Sequence, residues 1–177
     1  MNISGIDLSL TSTGLSLNGV TSALTTKTKG AERLHVISSQ IIEYCTNNNV
    51  HIVIIEGYSF ASRHSQAHSI GEMGGCVRMK LWESEIPFIE VPPKCRAKFA
   101  TGKGNAGKSE VISSISARTG ITWSGSGADD QCDAWVLEHM AIAYLGKSEY
   151  DWPRANMSGL ESIDWSALDD LIREGKS

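Results

Sequence analysis

The hydrophobic pattern of the chain predicts five strands. Apolar and polar residues nearly alternate over residues 5–10 and again over residues 15–20, with a turn rich in hydroxyl groups and glycine between them. Such alternation is typical of half-buried strands. The Thr- and Ser-rich residues 21–28 predict a third strand that completes an antiparallel meander. Residues 51–57 form a near-continuous β-branched run, which favours a central strand buried on both faces, and residues 87–91 predict a short fifth strand.

Helical periodicity fills the intervals between and after these strands. Apolar residues recur at helical spacing in residues 31–47 and again in residues 65–85. Further helices are predicted over residues 94–101, 109–118, 128–145 and 165–173. Strands and helices in this order predict an α/β fold.

Length and composition indicate one globular domain followed by a modest tail. The chain has 177 residues, of which 41% are hydrophobic, and this is enough for one full core. We place an α/β domain at residues 1–148 and an acidic C-terminal tail with one short helix at residues 149–177. The boundary follows the charge, because the net charge of -4 arises wholly after residue 148.

The cysteine spacing and the lack of long apolar runs exclude further classes of protein. The four cysteines are widely spaced and include no C-x-x-C pair, which argues against a zinc site and against a disulfide framework. No apolar run approaches the roughly 20 residues that cross a bilayer, and the N-terminus lacks a basic region followed by an apolar stretch. We therefore expect a cytoplasmic protein with no membrane partner.

Cations are concentrated in one segment that contains no acid. Between residues 91 and 109 the basic residues are Lys94, Arg96, Lys98, Lys103 and Lys108. This segment suits contact with nucleic-acid phosphates, and a solvated basic face is the alternative. The loop after the fourth strand carries aromatic and basic side chains, which suit stacking on bases and contact with phosphates. The alternative is a loop that folds onto the core. These loop residues are Tyr58, Phe60 and Arg63.

Residues 102–109 match the phosphate-binding pattern G-x-x-x-x-G-K-S/T letter for letter. A working P-loop follows a buried strand and opens a helix. The residues before Gly102 are too charged for a buried strand and suit a short helix, so we do not expect a nucleotide cofactor.

Five carboxylates occupy unusual positions in the hydrophobic pattern. Asp7 interrupts the first strand, and Glu56 ends the fourth, where open α/β sheets place their ligand sites. Each alone has an ordinary explanation, as a solvated acid or a loop residue. The late helix begins with Asp129 and Asp130, which capping and the helix dipole explain. Asp133 lies one turn further in, on the same face, and neither effect explains it.

Carboxylate oxygens are the ligands that hard divalent cations prefer, which makes Mg²⁺ the expected cofactor, with Mn²⁺ able to replace it. Two such ions, about 3.5 to 4 Å apart, would activate water and stabilise the leaving oxygen in an in-line displacement at phosphorus. Clustered carboxylates without a metal would be driven to hold protons.

Four motifs in order resemble the pattern of RuvC-type Holliday junction resolvases, over about residues 1–146. The matching residues are Gly5-Ile6-Asp7-x-Ser9 with Thr13-Gly14, Ile55-Glu56, Thr101-Gly102-x-Gly104-x-Ala106-x-Lys108 with Val111, and Asp130-x-x-Asp133-Ala134. The sequence is most similar to phage-type members, since Leu8 replaces the proline often found after the first aspartate. The resemblance implies an RNase H-like fold with a mixed five-stranded sheet flanked by helices.

The resemblance also implies a function and assigns roles to residues. It implies a homodimer that resolves four-way DNA junctions by Mg²⁺-dependent paired nicking, which is phosphodiester hydrolysis. The metal ligands carried over are Asp7, Glu56, Asp130 and Asp133, with Asp129 able to substitute for Asp130, and Lys108 matches a lysine expected near the DNA backbone. The wedge aromatic of the family does not align, because Ser59 holds its place between Tyr58 and Phe60.

Other classes of function remain open at this point. The same acids would serve another RNase H-like nuclease that acts on flaps, branched intermediates or RNA hybrids. A non-catalytic junction-binding protein and an ATP-binding protein are the alternatives from other classes.

Overall fold

The computed structural model describes residues 1–57 and 66–175. The predicted DNA contacts Tyr58, Phe60 and Arg63 therefore lie outside the described residues. The described elements are β1 (Ile3–Asp7), β2 (Ser12–Leu17), β3 (Val20–Thr25), α1 (Gly30–Asn47), β4 (Ile52–Glu56), α2 (Gln66–Glu83), β5 (Phe88–Val91), α3 (Pro93–Thr101), α4 (Lys108–Thr119), α5 (Ala128–Tyr144), α6 (Arg154–Met157) and α7 (Ser166–Arg173).

The five strands form one mixed sheet in the order β3-β2-β1-β4-β5. The first three strands pair antiparallel as the predicted meander, and β1, β4 and β5 run parallel. The predicted bounds of the first two strands, residues 5–10 and 15–20, are too late in the chain, because the turn after β2 lies at Asn18 and Gly19. The strand β3 ends at Thr25 rather than at the predicted residue 28, because its ladder partner β2 begins at Ser12, directly opposite Thr25. The predicted mixed five-stranded sheet flanked by helices is confirmed.

Each face of the sheet carries its own hydrophobic core. On one face, α1 and α2 pack on alternate strand residues such as Ile6, Val53 and Ile55. On the other face, α5 packs with α3 and α4 on Ile52 and Ile54. The β-branched run of β4 is thus buried on both sides, as its sequence predicts. No described helix has both the length and the apolar character that crossing a membrane requires.

The helix α5 lies directly on the backbone of the first two strands because glycines face it. A Cβ atom at Gly5 would overlap the carbonyl oxygen of Ala134 and lie 2.7 Å from the amide nitrogen of Glu138. A Cβ atom at Gly14 would overlap the backbone of Asp130 in the same way. The two glycines therefore set the height of α5 above β1 and β2.

A buried carboxylate fixes α5 against the hairpin between β2 and β3. Glu138 accepts hydrogen bonds from the hydroxyl of Ser16 and, at 3.2 Å, from the backbone N–H of Gly19. Asn18 and Gly19 both have positive φ, which is the geometry of a type I′ hairpin turn. Burial raises the pKa of Glu138, so these donors stabilise a carboxylate that α5 has taken out of water.

The segment after residue 148 packs onto the domain. Its buried apolar residues are Trp152, Leu160, Ile163, Trp165, Leu168 and Leu171, and they join the core that lies under α5. The rings of Trp152 and Phe99 of α3 pack at a tilt of 38° with their centroids 4.2 Å apart, and the side-chain amide of Asn156 donates to the carbonyl of Phe99 at 2.7 Å. The predicted tail helix corresponds to α7, and α6 is an additional short helix. The C-terminal segment therefore supports α3.

All four cysteines are free thiols, and Cys45, Cys95 and Cys132 are buried.

The close approach of α5 predicts that Gly5→Ala destabilises the fold by about 3 kcal/mol or more, because the added methyl group meets rigid helix backbone. The matched control is Gly75→Ala in α2, where a Cβ atom meets nothing within 4 Å. That change should be neutral or stabilise by up to about 1 kcal/mol, since alanine favours helix over glycine. Urea unfolding of the three proteins measures both effects, and equal stabilities would contradict the close contact.

Candidate metal centre

The sheet register brings Asp7 and Glu56 together. The parallel strands β1 and β4 pair Ile6 with Ile55, so the next residue of each strand reaches the same carboxyl edge. Alternation along the strands turns both side chains toward α5, on the face that carries Ile3, Ile52 and Ile54. Asp7 is 8% exposed, although it ends a strand.

The helix α5 adds the third carboxylate of the site. Asp133 is 2% exposed, one turn into α5, just before the residues that pack on Gly5. One carboxylate oxygen from each of Asp7, Glu56 and Asp133 lies within 4.8 Å of the other two. We call these three residues the acidic cluster. They come from β1, β4 and α5, and residues 7, 56 and 133 meet only in the folded chain.

The two aspartates at the start of α5 have different environments. Asp130 is buried, and its charge contributes to raising the pKa of Asp7. Asp129 is more exposed and forms an ion pair with Lys108, which lowers the pKa of its carboxyl group. The ammonium of Lys108 also lies 3.6 Å from Asp130. The acid adjoining the cluster is therefore Asp130, and Asp129 faces the lysine.

Burial and like charge act together on the cluster. Burial raises the pKa of Asp7 well above its ordinary value, and the charges of Glu56 and Asp133 raise it further. Burial also raises the pKa of Asp133 to about 7, against the opposing effect of Arg96. Additional positive charge would therefore stabilise the ionised cluster.

The structure corrects the sequence interpretation of Arg96. We predicted an exposed DNA contact, but Arg96 is 9% exposed and ion-paired inside the site. Its Nε donates to Glu56 Oε2 at 2.7 Å, and its Nη1 donates to Asp133 Oδ1. Burial alone would lower the pKa of Arg96, but Glu56 and Asp133 raise it above its ordinary value. A sequence signal existed, because Arg96 stands between Cys95 and Ala97 in a helix whose other buried residues are apolar.

The other residues of the basic segment lie further out. Lys94, Lys103 and Lys108 are exposed and Lys98 is half-buried. Lys103 pairs with Glu110 at 3.0 Å, and Lys108 begins α4, with a side chain that is 61% exposed. Exposed lysines suit contact with a phosphate backbone, and of these Lys108 lies beside Asp129 and Asp130.

The segment that resembles a P-loop has a different structural setting. It follows the helix α3, as the sequence predicts, and not a strand. Gly102 has φ 82° and ends α3 in the left-handed conformation that favours glycine. The first glycine of the pattern is therefore explained by a helix cap.

The acidic cluster fits a divalent cation. Its donors are carboxylate oxygens that lie close together. Burial and mutual repulsion disfavour their ionised form, so a bound cation would stabilise it. Hard divalent ions bind such oxygen sets. A divalent metal is therefore the class of cofactor that this site suits.

Fold and site together define an RNase H-like domain with a carboxylate site at the carboxyl edge of its parallel strands. Thermus thermophilus RuvC superimposes with a TM-score of 0.64 at 21% identity, covering 85% of this chain and all of that chain. The same protein in complex with a Holliday junction substrate gives a TM-score of 0.62 at 23% identity, covering 85% of this chain and 99% of that one. These likenesses support the fold.

Sequence comparison identifies the family. The family described as "Crossover junction endodeoxyribonuclease RuvC" matches residues 3–137, a range that contains the whole acidic cluster. A crossover junction endodeoxyribonuclease RuvC from Carboxydothermus hydrogenoformans is 31% identical over 115 residues, which is 65% of this chain and 69% of that protein. The chain belongs to the RuvC family of crossover junction endodeoxyribonucleases. The resemblance found in the sequence motifs is thereby confirmed, and the phage-type assignment stays a prediction.

The raised pKa of Asp7 predicts that Asp7→Asn stabilises the metal-free protein. At intermediate pH, Asp7 holds a proton in the folded state that it releases in the unfolded state. The contribution of Asp7 to the stability of the fold is therefore present at low pH and is lost as the pH rises through its folded pKa. In EDTA the free energy of unfolding of the variant should be higher than that of the wild type at pH 8, and the difference should be smaller at pH 5. The exposed Asp151 provides the control variant Asp151→Asn.

Urea unfolding at the two pH values measures this difference. Saturating Mg²⁺ should reduce or reverse it, because the wild type gains more from binding the ion. A variant less stable than the wild type at pH 8 in EDTA would contradict the electrostatic account.

Proposed function

We propose that the protein is a structure-selective endodeoxyribonuclease that resolves four-way DNA junctions by paired symmetric nicking. The observation that carries the proposal is the acidic cluster, three buried carboxylates that converge from β1, β4 and α5 in a chain of the RuvC family. A merely structural role for these acids is disfavoured, because burying like charges together opposes folding.

Magnesium is the cofactor that we propose for the site, with Mn²⁺ as a substitute. The residues that would hold it are Asp7, Glu56 and Asp133, with Asp130 beside them. When bound, the ion supplies Lewis-acid charge to the phosphate and lowers the pKa of water. The sheet and α5 hold these carboxylates in place, so little reorganisation of the protein is needed to bind it.

The lysines of the basic segment are proposed to hold the scissile strand. Lys108 lies next to Asp129 and Asp130 and is well exposed, so its ammonium is available to a DNA phosphate. Lys94 and Lys103 are exposed, and Lys98 is half-buried in the same segment. Hydrolysis then breaks one phosphorus–oxygen bond and adds the elements of water. Each nick leaves a phosphate and a hydroxyl at the cut ends.

Paired nicking requires two sites, and we propose that the protein acts as a homodimer. The helix α2 exposes Trp82, at 76%, together with Met79 and Ile70. Large exposed apolar side chains on one helix favour a protein partner. A second copy related by a two-fold axis would direct two equivalent sites at opposed strands. Such a resolvase would act on DNA in the cytoplasm of a bacterium or of a phage-infected cell.

Cleavage of matched substrates tests the proposed specificity. A mobile four-way junction, a Y-fork and an RNA–DNA hybrid duplex are incubated with the protein and Mg²⁺, with EDTA reactions as the control. We expect symmetric paired nicks on the junction and at least about tenfold slower cutting of the fork and the hybrid. Preferred cutting of the fork or hybrid would assign the site to another RNase H-like nuclease.

Conservative changes in the cluster separate catalysis from binding. Asp7→Asn and Glu56→Gln should lower junction cleavage by at least about a thousandfold, since each removes a ligand charge while keeping the shape of the side chain. Affinity for the junction, measured by gel shift in Ca²⁺, should change by only a few fold, and Asp151→Asn should alter neither property. Loss of binding in both cluster variants would make the acids structural, unchanged cleavage by Asp7→Asn would exclude Asp7 from the catalytic site, and a wild type that binds the junction without cutting it would indicate a non-catalytic protein.

A further inference from the structure

We propose that the C-terminal segment fixes the connection between α3 and α4 for DNA binding, with Asn156 and Trp152 as positioning residues for the phosphate-binding lysines. The inference rests on the proposed function, which assigns Lys103 and Lys108 to the DNA backbone. We call residues 102–108, which lead from α3 to the first residue of α4, the lysine loop. The match to the family ends before the C-terminal segment begins.

The carbonyl groups at the end of α3 depend on side chains from other elements. A helix leaves its last carbonyl oxygens without partners from its own turns. Asn156, which is 4% exposed, donates its side-chain N–H to the carbonyl of Phe99 at 2.7 Å. The hydroxyl of Ser114 in α4 donates to the next carbonyl, that of Ala100, at 2.8 Å. Loss of the Asn156 donor would leave the carbonyl of the buried Phe99 unsatisfied, which destabilises this helix end.

The lysine loop begins directly at this helix end. Gly102 ends α3 in the left-handed conformation, and its N–H donates to the carbonyl of Lys98 at 2.7 Å. The hydroxyl of Thr101 accepts from the N–H of Lys103 at 3.1 Å. A Cβ atom at Gly102 would lie 3.7 Å from the side-chain oxygen of Asn156. Asn156 therefore contributes to setting where the chain leaves α3 and where Lys103 lies.

Trp152 contacts both helices that flank the lysine loop. Its ring packs on Phe99 of α3 with the centroids 4.2 Å apart, and the guanidinium of Arg118 in α4 lies 5.0 Å from the centroid of the Trp152 ring. A cation over an indole ring is attracted by the negative face of that ring. Arg118 also donates to the carbonyl of Asp151, the preceding residue, at 2.6 Å. The segment therefore restrains the two helices relative to each other.

The C-terminal segment lies directly on the backbone of α3. A Cβ atom at Gly159 would be 2.8 Å from the carbonyl oxygen of Cys95 and 2.8 Å from the amide nitrogen of Phe99. Gly159 is buried, and the next residue, Leu160, belongs to the same core as Trp152. A shift of this segment would therefore displace the backbone of α3 as well.

The restraint acts on the lysines more than on the acidic cluster. The cluster is held by β1, β4 and α5, and Arg96 in α3 is itself paired with two of its carboxylates. Lys103 and Lys108 are exposed, so the position of the lysine loop decides where their charges meet a DNA phosphate. A loop that is already ordered loses less conformational entropy on binding. Loosening the segment should therefore weaken phosphate contact and leave the chemical step largely unchanged.

Hydrogen exchange in the absence of DNA tests the structural part of the inference. Asn156→Leu keeps the approximate size of the side chain and removes the donor to Phe99. Deuterium uptake of residues 98–108, measured by mass spectrometry, should be at least about fivefold faster than in the wild type, because the helix end opens more often. Equal uptake in the two proteins would overturn the inference.

The matched control is Leu171→Ala, which removes a buried apolar side chain from the same segment. Leu171 lies in α7, which contacts β5, whereas Asn156 lies in α6, which contacts α3. The control should lower the melting temperature and leave the uptake of residues 98–108 unchanged. Faster uptake there in Leu171→Ala as well would reduce the effect of Asn156→Leu to general destabilisation and overturn the inference.

Junction binding tests the positioning role. Affinity for a four-way junction is measured by gel shift in Ca²⁺ at several salt concentrations. Asn156→Leu should weaken binding at least about fivefold and reduce the slope of log affinity against log salt by about one, as the loss of one phosphate contact does. Lys108→Ala should change the slope in the same way, and the double variant should lose less than the product of the two single losses. Leu171→Ala should bind like the wild type.

Single-turnover cleavage with Mg²⁺ separates positioning from chemistry. In Asn156→Leu the protein concentration that gives half the maximal rate should rise at least about fivefold, and the maximal rate should change by less than about threefold. A fall in the maximal rate alone would place the effect at the acidic cluster and overturn the inference.

The outcomes separate this inference from the proposed function. If Lys108→Ala weakens junction binding and Asn156→Leu binds like the wild type, the positioning role is overturned and the proposed function stands. A wild type that binds no four-way junction rejects the proposed function, while faster uptake in Asn156→Leu alone still supports the restraint of the lysine loop. If Asn156→Leu does not fold, Trp152→Phe replaces it, with about twofold changes expected in uptake and affinity, and wild-type values of both overturn the inference.

Discussion

The repulsion among three buried carboxylates is the constraint on which the site depends. Asp7, Glu56 and Asp133 share a space a few ångströms across, and burial raises the pKa of Asp7 and of Asp133. Such a group folds only where surrounding packing holds it together and positive charge offsets it. The fold supplies both. The α5 helix and the sheet hold the carboxylates in place, and the positive charge of Arg96 offsets part of their negative charge.

Packing far from the carboxylates sets their geometry. The glycines of β1 and β2 let α5 lie on the sheet backbone, which places Asp133 against the strand edge. Glu138, one turn and a residue further along α5, ties the same helix to the first hairpin. The C-terminal segment fixes α3 through Asn156 and Trp152, and α3 carries Arg96. The charged site is thus built on elements that are held by apolar contacts and by hydrogen bonds of Glu138 and Asn156.

Much of this was predictable where local pattern decides the outcome. The strands, the main helices, and the positions of Asp7 and Glu56 follow from periodicity and from the shared edge of parallel strands. The inward role of Arg96 was not predicted, because its burial depends on how α3 packs on α5, and a run of lysines around it favoured a solvated face. The packing of the C-terminal segment was not predicted either. Trp152 and Trp165 are buried in the core, but the acidic composition after residue 148 favoured a tail outside it. Long-range packing decided both cases.

The most direct test of the central claim, that the three carboxylates together form a site for a divalent metal, is crystallography of the wild-type protein with Mn²⁺. An anomalous difference map should show Mn²⁺ at about 2.1 Å from oxygens of Asp7, Glu56 and Asp133. Saturated crystals that show no peak among these carboxylates, or that show Mn²⁺ only elsewhere, would contradict the account.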